Sequence, residues 1–114
     1  MENNKLGGDM NLQELQQYLY SEYRKNGYLE MWNKNGKVGD IAELGLMVTE
    51  ISEAMEETRL HGITNFDNLY TECADIIIRV INFMTRKGCT DIEKIIYTKT
   101  VKNLKRNKLH GRDV

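Results

Sequence analysis

Apolar side chains recur three and four positions apart along most of this chain, the spacing of amphipathic helices. Leu12, Leu15, Tyr18, Leu19 and Tyr23 keep that spacing. Asn11 with Glu14 forms a capping-box pattern ahead of them, and Asn26-Gly27 is a stop behind. A first helix over about 11–26 follows. Residues 28–39 hold a short apolar cluster (Tyr28, Leu29, Met31, Trp32) and then Asn33-Lys34-Asn35-Gly36 and Gly39, which predicts a loop with one helical turn. Asp40 with Glu43 is a second capping signal. Ile41, Leu44, Met47, Val48, Ile51, Ala54 and Met55 then form the apolar arc of a helix ending near Leu60, closed by His61-Gly62. Glu43, Glu50 and Glu57 border that arc, with Glu53 further round.

After a loop over 61–67 and a cap at Asp67, Leu69 to Met84 is almost continuously apolar. Ile76–Ile78 has strand propensity, but sixteen residues without Gly or Pro is too long for most strands. The segment reads as a helix apolar nearly all round, hence buried, and closed by Lys87-Gly88. Its only charged residues are Glu72, Asp75 and Arg79, on one face. Thr90 with Glu93 opens the last helix, where Ile92, Ile95 and Ile96 begin a core stripe that continues as Lys99, Asn103 and Arg106. Tyr97, Val101 and Leu104 lie on its other side and predict a second buried surface, such as a subunit contact. Leu109 to Arg112 reads as coil. The expectation is an all-α, four-helix bundle-like protomer, one domain over 1–114 with 1–9 and 108–114 flexible.

Composition narrows this further. The 114 residues suit a single domain, and the absence of proline suits long helices. No run of about 18 apolar residues exists to span a membrane, and the polar start lacks a signal-peptide core, so the expected location is cytoplasmic. Cys73 and Cys89 form no CxxC pair; Cys73, inside the apolar run, reads as a core thiol. A net charge of −1 argues against nucleic acid as a partner. The charge is uneven, however: residues 50–57 carry four Glu, whereas the last stretch carries Lys99, Lys102, Lys105, Arg106, Lys108 and Arg112.

The acids carry the chemistry. Glu50 and Glu53, and again Glu72 and Asp75, stand three residues apart, which puts each pair on one helical face. Acidic runs on helices are usually solvated, and Glu50 with Glu53 alone would mean little. Glu72 and Asp75 sit in a helix with almost no polar face, where charge is costly unless paired. An Asp75–Arg79 bridge would satisfy one acid and leave Glu72. Four carboxylates on two helices would make an oxygen cage for Mg²⁺ or Mn²⁺ rather than Zn²⁺. A di-iron bundle needs Glu-x-x-His, and neither His61 nor His110 follows a Glu by three. Mg²⁺ suggests phosphate chemistry, with Lys99, Lys102 and Arg106 as candidate holders of charged oxygens.

Glu50-Ile51-Ser52-Glu53, eighteen residues, then Glu72-Cys73-Ala74-Asp75 resembles the ExxE…ExxD signature of the all-α nucleoside triphosphate pyrophosphohydrolases, the MazG-like family. Arg59, the run Ala74-Asp75-Ile76-Ile77-Ile78-Arg79, and Lys99…Asn103…Arg106…His110-Gly111 extend the resemblance over roughly residues 30–111. Asn107 stands where a Pro often follows that Arg, and Thr49 where an acid often precedes the first Glu. The resemblance implies a dimer or dimer of dimers that holds Mg²⁺ (or Mn²⁺) through Glu50, Glu53, Glu72 and Asp75. It implies hydrolysis of an NTP or dNTP between the α- and β-phosphates, with Lys99, Asn103 and Arg106 at the phosphates. Trp32 is a candidate to stack on the base, or else anchors its loop. Glu56 or Glu57 is a candidate to position water. The rival reading is a non-catalytic helical module that senses nucleotides or dimerises.

Overall fold

A computed structural model describes residues 8–61 and 66–110, with the backbone alone at His61 and over residues 107–110. Among the described residues there are five helices and no strand: α1 (Leu12–Lys25), α2 (Tyr28–Asn33), α3 (Gly36–His61), α4 (Phe66–Arg86) and α5 (Ile92–His110). The all-α expectation therefore holds, with four long helices and one short one. Among the described residues, no helix is long and apolar enough to cross a membrane.

The first helix begins as its sequence predicts. The Asn11 side chain accepts a hydrogen bond from the Glu14 amide at 2.8 Å, and Glu14 Oε1 accepts from the Asn11 amide at 3.1 Å. Gly27, at φ +84°, supplies the left-handed residue that turns the chain out of α1. Three other boundaries differ from expectation. Residues 28–39 are mostly helical, because α2 occupies Tyr28–Asn33 and α3 starts at Gly36, four residues ahead of Asp40. Asp40 is accordingly no cap: its carboxylate lies 2.6 Å from Lys87 Nζ and 2.7 Å from Arg86 Nη2. The last helix is capped by Asp91, whose Oδ1 accepts from the Lys94 amide at 3.1 Å, rather than by Thr90. Helix α5 continues through Leu109 and His110, where coil was expected. The expected stop at Gly62 and the tail at Gly111 and Arg112 lie outside the described residues.

Helices α3 and α4 form the main pair, with α1 and α2 packed across them and α5 against α1 and α4. The inward faces are not the ones hydrophobicity predicts. On α3, Gly39, Glu43, Met47 and Ala54 are buried and Glu50 and Glu57 half-buried. Ile41, Val48 and Met55 are about two-thirds exposed, and Leu44 and Ile51 are exposed as well. At about 100° per residue, the buried face is centred roughly a quarter-turn from the apolar arc. The acids that seemed to border the core thus face α4, and the arc points out of the protomer.

The same correction applies to α4 and α5. The inward row of α4 runs Leu69, Glu72, Ile76, Arg79, Phe83 and Arg86, with Ile81 and Asn82 buried beside it, while Ile77, Ile78 and Val80 are exposed. Cys73, expected in the core, is exposed. Among the described side chains of α5, only Ile92 is buried; Ile95, Ile96, Tyr97 and Leu104 are exposed.

Polar side chains do much of the tying between elements. Buried Gln16 donates to Thr85 Oγ1 and the Cys89 carbonyl, both at 2.9 Å, and accepts from the Ile92 amide at 3.1 Å. It joins α1 to the end of α4 and the start of α5. Tyr23 donates to Glu43 Oε2 at 2.6 Å, while Arg86 Nε donates to Glu43 Oε1 at 3.0 Å and Arg86 Nη1 to Asn33 Oδ1 at 2.9 Å. Burial and the adjacent Glu43 push the Tyr23 hydroxyl well above its ordinary pKa. This network fixes the angle of α1 and α2 over the α3–α4 pair.

Candidate metal centre

Because α3 turns its acidic edge inward, Glu50 and Glu53 meet Glu72 across the α3–α4 interface. One carboxylate oxygen from each of the three lies within 4.8 Å of the others. Glu50 and Glu72 are half-buried and Glu53 is exposed, so the group opens to solvent on one side. Burial pushes the Glu72 carboxyl above its usual range, and the charges of Glu53, Glu50, Asp75 and Glu57 push it further. An acid in that position resists ionising unless a cation is near.

Asp75, one turn along α4 from Glu72, is outside this triad. It is exposed, and it lines the cavity beside the acids. The Asp75–Arg79 bridge, the rival to metal binding at these acids, is absent: Arg79 Nε instead donates to Glu50 Oε2 at 2.8 Å. A guanidinium held across the helix pair reaches the neighbouring helix's acid, not the one a turn away on its own. Glu56 pairs with Arg59, and Glu57 Oε2 accepts from Asn68 Nδ2 at 3.2 Å.

The basic residues stand elsewhere. Lys99, Lys102, Asn103 and Arg106 are all exposed on α5 and have no hydrogen bond or ion pair among the described residues. Their helix packs on α1 and α4. The expected basic lobe therefore exists as an unpaired surface, while the acids form a compact centre.

A half-open cavity of about 330 Å³ adjoins that centre, lined by residues of α1, α2, α3 and α4. Asp75 and Arg79 line it at the acidic end, and Trp32, half-buried on α2, lines it as well. Trp32 is held there by an unusually close backbone approach. A Cβ at Gly39 would stand 2.1 Å from the Trp32 carbonyl oxygen, so only glycine lets α2 fold back onto α3.

No protein-family model, curated protein or solved structure matches this chain.

Several residues of this region escape sequence reasoning. Glu43 and Arg86 look like ordinary surface charges, yet each is almost fully buried with the other. Asn82 falls inside an apolar run and gives no signal. Its position seven residues after Asp75, on the same side of the helix, is the one clue that spacing offers.

Proposed function

We propose that this chain is a Mg²⁺-dependent nucleoside triphosphate pyrophosphohydrolase, splitting an NTP or dNTP into a nucleoside monophosphate and pyrophosphate. The observation that carries the reading is the convergence of Glu50, Glu53 and Glu72 beside a cavity lined by Asp75, Arg79 and Trp32. The donor set is entirely carboxylate oxygen, which fits a hard divalent cation, and Glu72 is already strained toward its protonated form without one. Such a cation would neutralise phosphate charge and polarise the phosphorus toward attack by water.

The chain's own groups supply the rest. Glu50, Glu53 and Glu72 would hold the cation, with Asp75 at the cavity mouth as the fourth carboxylate. A carboxylate of this set not engaged by the cation accepts the proton of the attacking water. Arg79 fixes Glu50 in place. Lys99, Lys102, Asn103 and Arg106, unpaired on α5, are available to phosphate oxygens. Trp32 offers a flat face to a base.

The active form in this reading is a homodimer or a dimer of dimers, because the apolar arc of α3 and the exposed isoleucines of α5 need a cover. A second reading has one observation in its favour. The Arg79–Glu50 ion pair satisfies one acid internally, as a purely structural or nucleotide-sensing bundle would require.

The deciding assay is pyrophosphate release from a panel of NTPs and dNTPs, with Mg²⁺ and then with EDTA. Mg²⁺-dependent release is expected, and Glu53→Gln should lower kcat by at least a hundredfold with an unchanged helical circular-dichroism spectrum. Full turnover by Glu53→Gln would remove the proposed centre, and no release across the panel would favour the sensing bundle.

A further inference from the structure

Asn82 is an exception among the buried polar side chains. It is only 7% exposed, and its Oδ1 is buried with no hydrogen-bond partner among the described residues. The neighbouring polar groups are satisfied: Gln16 makes three hydrogen bonds, and Tyr23, Glu43 and Arg86 bond one another. Asp40 Oδ1 and Arg86 Nη2 also lack a well-aligned hydrogen bond, but they stand 2.7 Å apart as an ion pair. A buried acceptor left without a donor costs free energy in the ligand-free protein, and such groups are rare unless something else supplies the donor.

Asn82 lines the cavity described above, together with Asp75. It lies seven residues after Asp75 on α4, two helical turns or about 10 Å along the axis. Arg79, Trp32 and Tyr28 line the same cavity. The aromatic rings are suited to the faces of a flat heterocycle. There Asn82 offers an acceptor that no group among the described residues uses. Glu43, which also lines the cavity, is already engaged at both oxygens by Tyr23 and Arg86.

We propose that this cavity is the nucleobase pocket and that Asn82 is its specificity-determining residue, with Oδ1 accepting a hydrogen bond from an N–H of the base edge. The inference rests on reading the acidic centre as a nucleotide site: the phosphates lie at the level of Glu72 and Asp75, and the base two turns further along α4. It selects bases that keep a free N–H on the edge facing Asn82. A base methylated on that nitrogen leaves Oδ1 unsatisfied and adds a methyl group against it.

Free nucleosides test the pocket apart from any turnover. Trp32 is the only tryptophan in the chain, so its fluorescence reports occupancy directly. The full-length protein is titrated with the natural ribo- and deoxynucleosides, and calorimetry checks each result. At least one is expected to bind and quench Trp32, and its N-methylated counterpart (3-methylthymidine for thymidine, for example) to bind at least tenfold more weakly. Asn82→Leu has similar volume and removes the unsatisfied acceptor, so it is expected to melt no lower than the parent while losing at least tenfold in nucleoside affinity. If turnover is present, Asn82→Leu should raise KM for the preferred nucleotide far more than it lowers kcat.

Absence of binding by every nucleoside would overturn the proposal even if pyrophosphate is released. So would equal affinity for a nucleoside and its N-methylated form, or unchanged binding in Asn82→Leu. Nucleoside binding governed by Asn82 without pyrophosphate release would uphold the pocket and reject the hydrolase. Should Asn82→Leu fail to fold, the methylated nucleosides on the parent protein still decide the matter.

Discussion

Gln16 shows how much a single polar residue carries in this fold. Its amide meets three partners on α4, the α4–α5 turn and the start of α5. Truncation strands a buried amide at Ile92 and a carbonyl at Cys89. Gln16→Ala should therefore cost about 1–3 kcal/mol, read as a lowered urea midpoint with an unchanged m-value. Glu72 works in the opposite sense. Its raised pKa means that the ionised form is the costly one in the folded chain. The stability it contributes is full below the ordinary carboxylate pKa and is lost as pH rises through the raised value. At neutral pH in EDTA, Glu72→Gln should melt above the parent protein. Millimolar Mg²⁺ should raise the parent's Tm and leave that of Glu72→Gln unchanged, a difference that scanning fluorimetry reads.

At the scale of the element, the short α2 is the part whose placement decides the cavity. Six residues make too short a helix to stand alone, and α2 is held by its contacts with α1 and α3. The contact with α3 depends on Gly39. A methyl group there meets the Trp32 carbonyl oxygen, which is backbone and cannot rotate aside. Gly39→Ala should cost about 1–3 kcal/mol and lower Tm, although alanine is the better helix former, and it should shift the Trp32 emission maximum as the indole moves. An unchanged spectrum and melting point would show that α2 tolerates displacement. The α3–α4 pair shows a different economy. Its inward faces carry Glu43, Glu50, Glu72, Arg79 and Arg86, so a large part of the interface is ion pairs rather than hydrocarbon.

At the scale of the whole molecule, the apolar arc of α3 is left without cover in the protomer, as it would be in one subunit of a homodimer. Exposed Ile41, Val48, Ile51 and Met55 on α3 form one continuous stripe that would supply such a contact. Val48→Glu lies far round from the acidic centre on α3. It should convert an oligomer to a monomer in sedimentation velocity, whereas an unchanged sedimentation coefficient would place the contact elsewhere.

Sequence alone determined the helical class, the number of long helices, the capping box at Asn11 and Glu14, and the i, i+3 placement of Glu50 with Glu53 on α3 and of Glu72 with Asp75 on α4. These depend on local propensity and on i, i+3 spacing, which any helix imposes on its own residues. Only the tertiary structure decided which face of each helix is buried within the protomer. Hydrophobic periodicity marks the side of a helix that avoids water without naming the neighbour that provides the cover. For α3 the apolar arc turned outward, and the charged edge found its partners on α4. Arg79 bonding Glu50 rather than Asp75, Gly39 under the Trp32 carbonyl, and Asn82 in the lining of the cavity have the same origin. Each is a contact between elements far apart in the chain, and no spacing within one element encodes it.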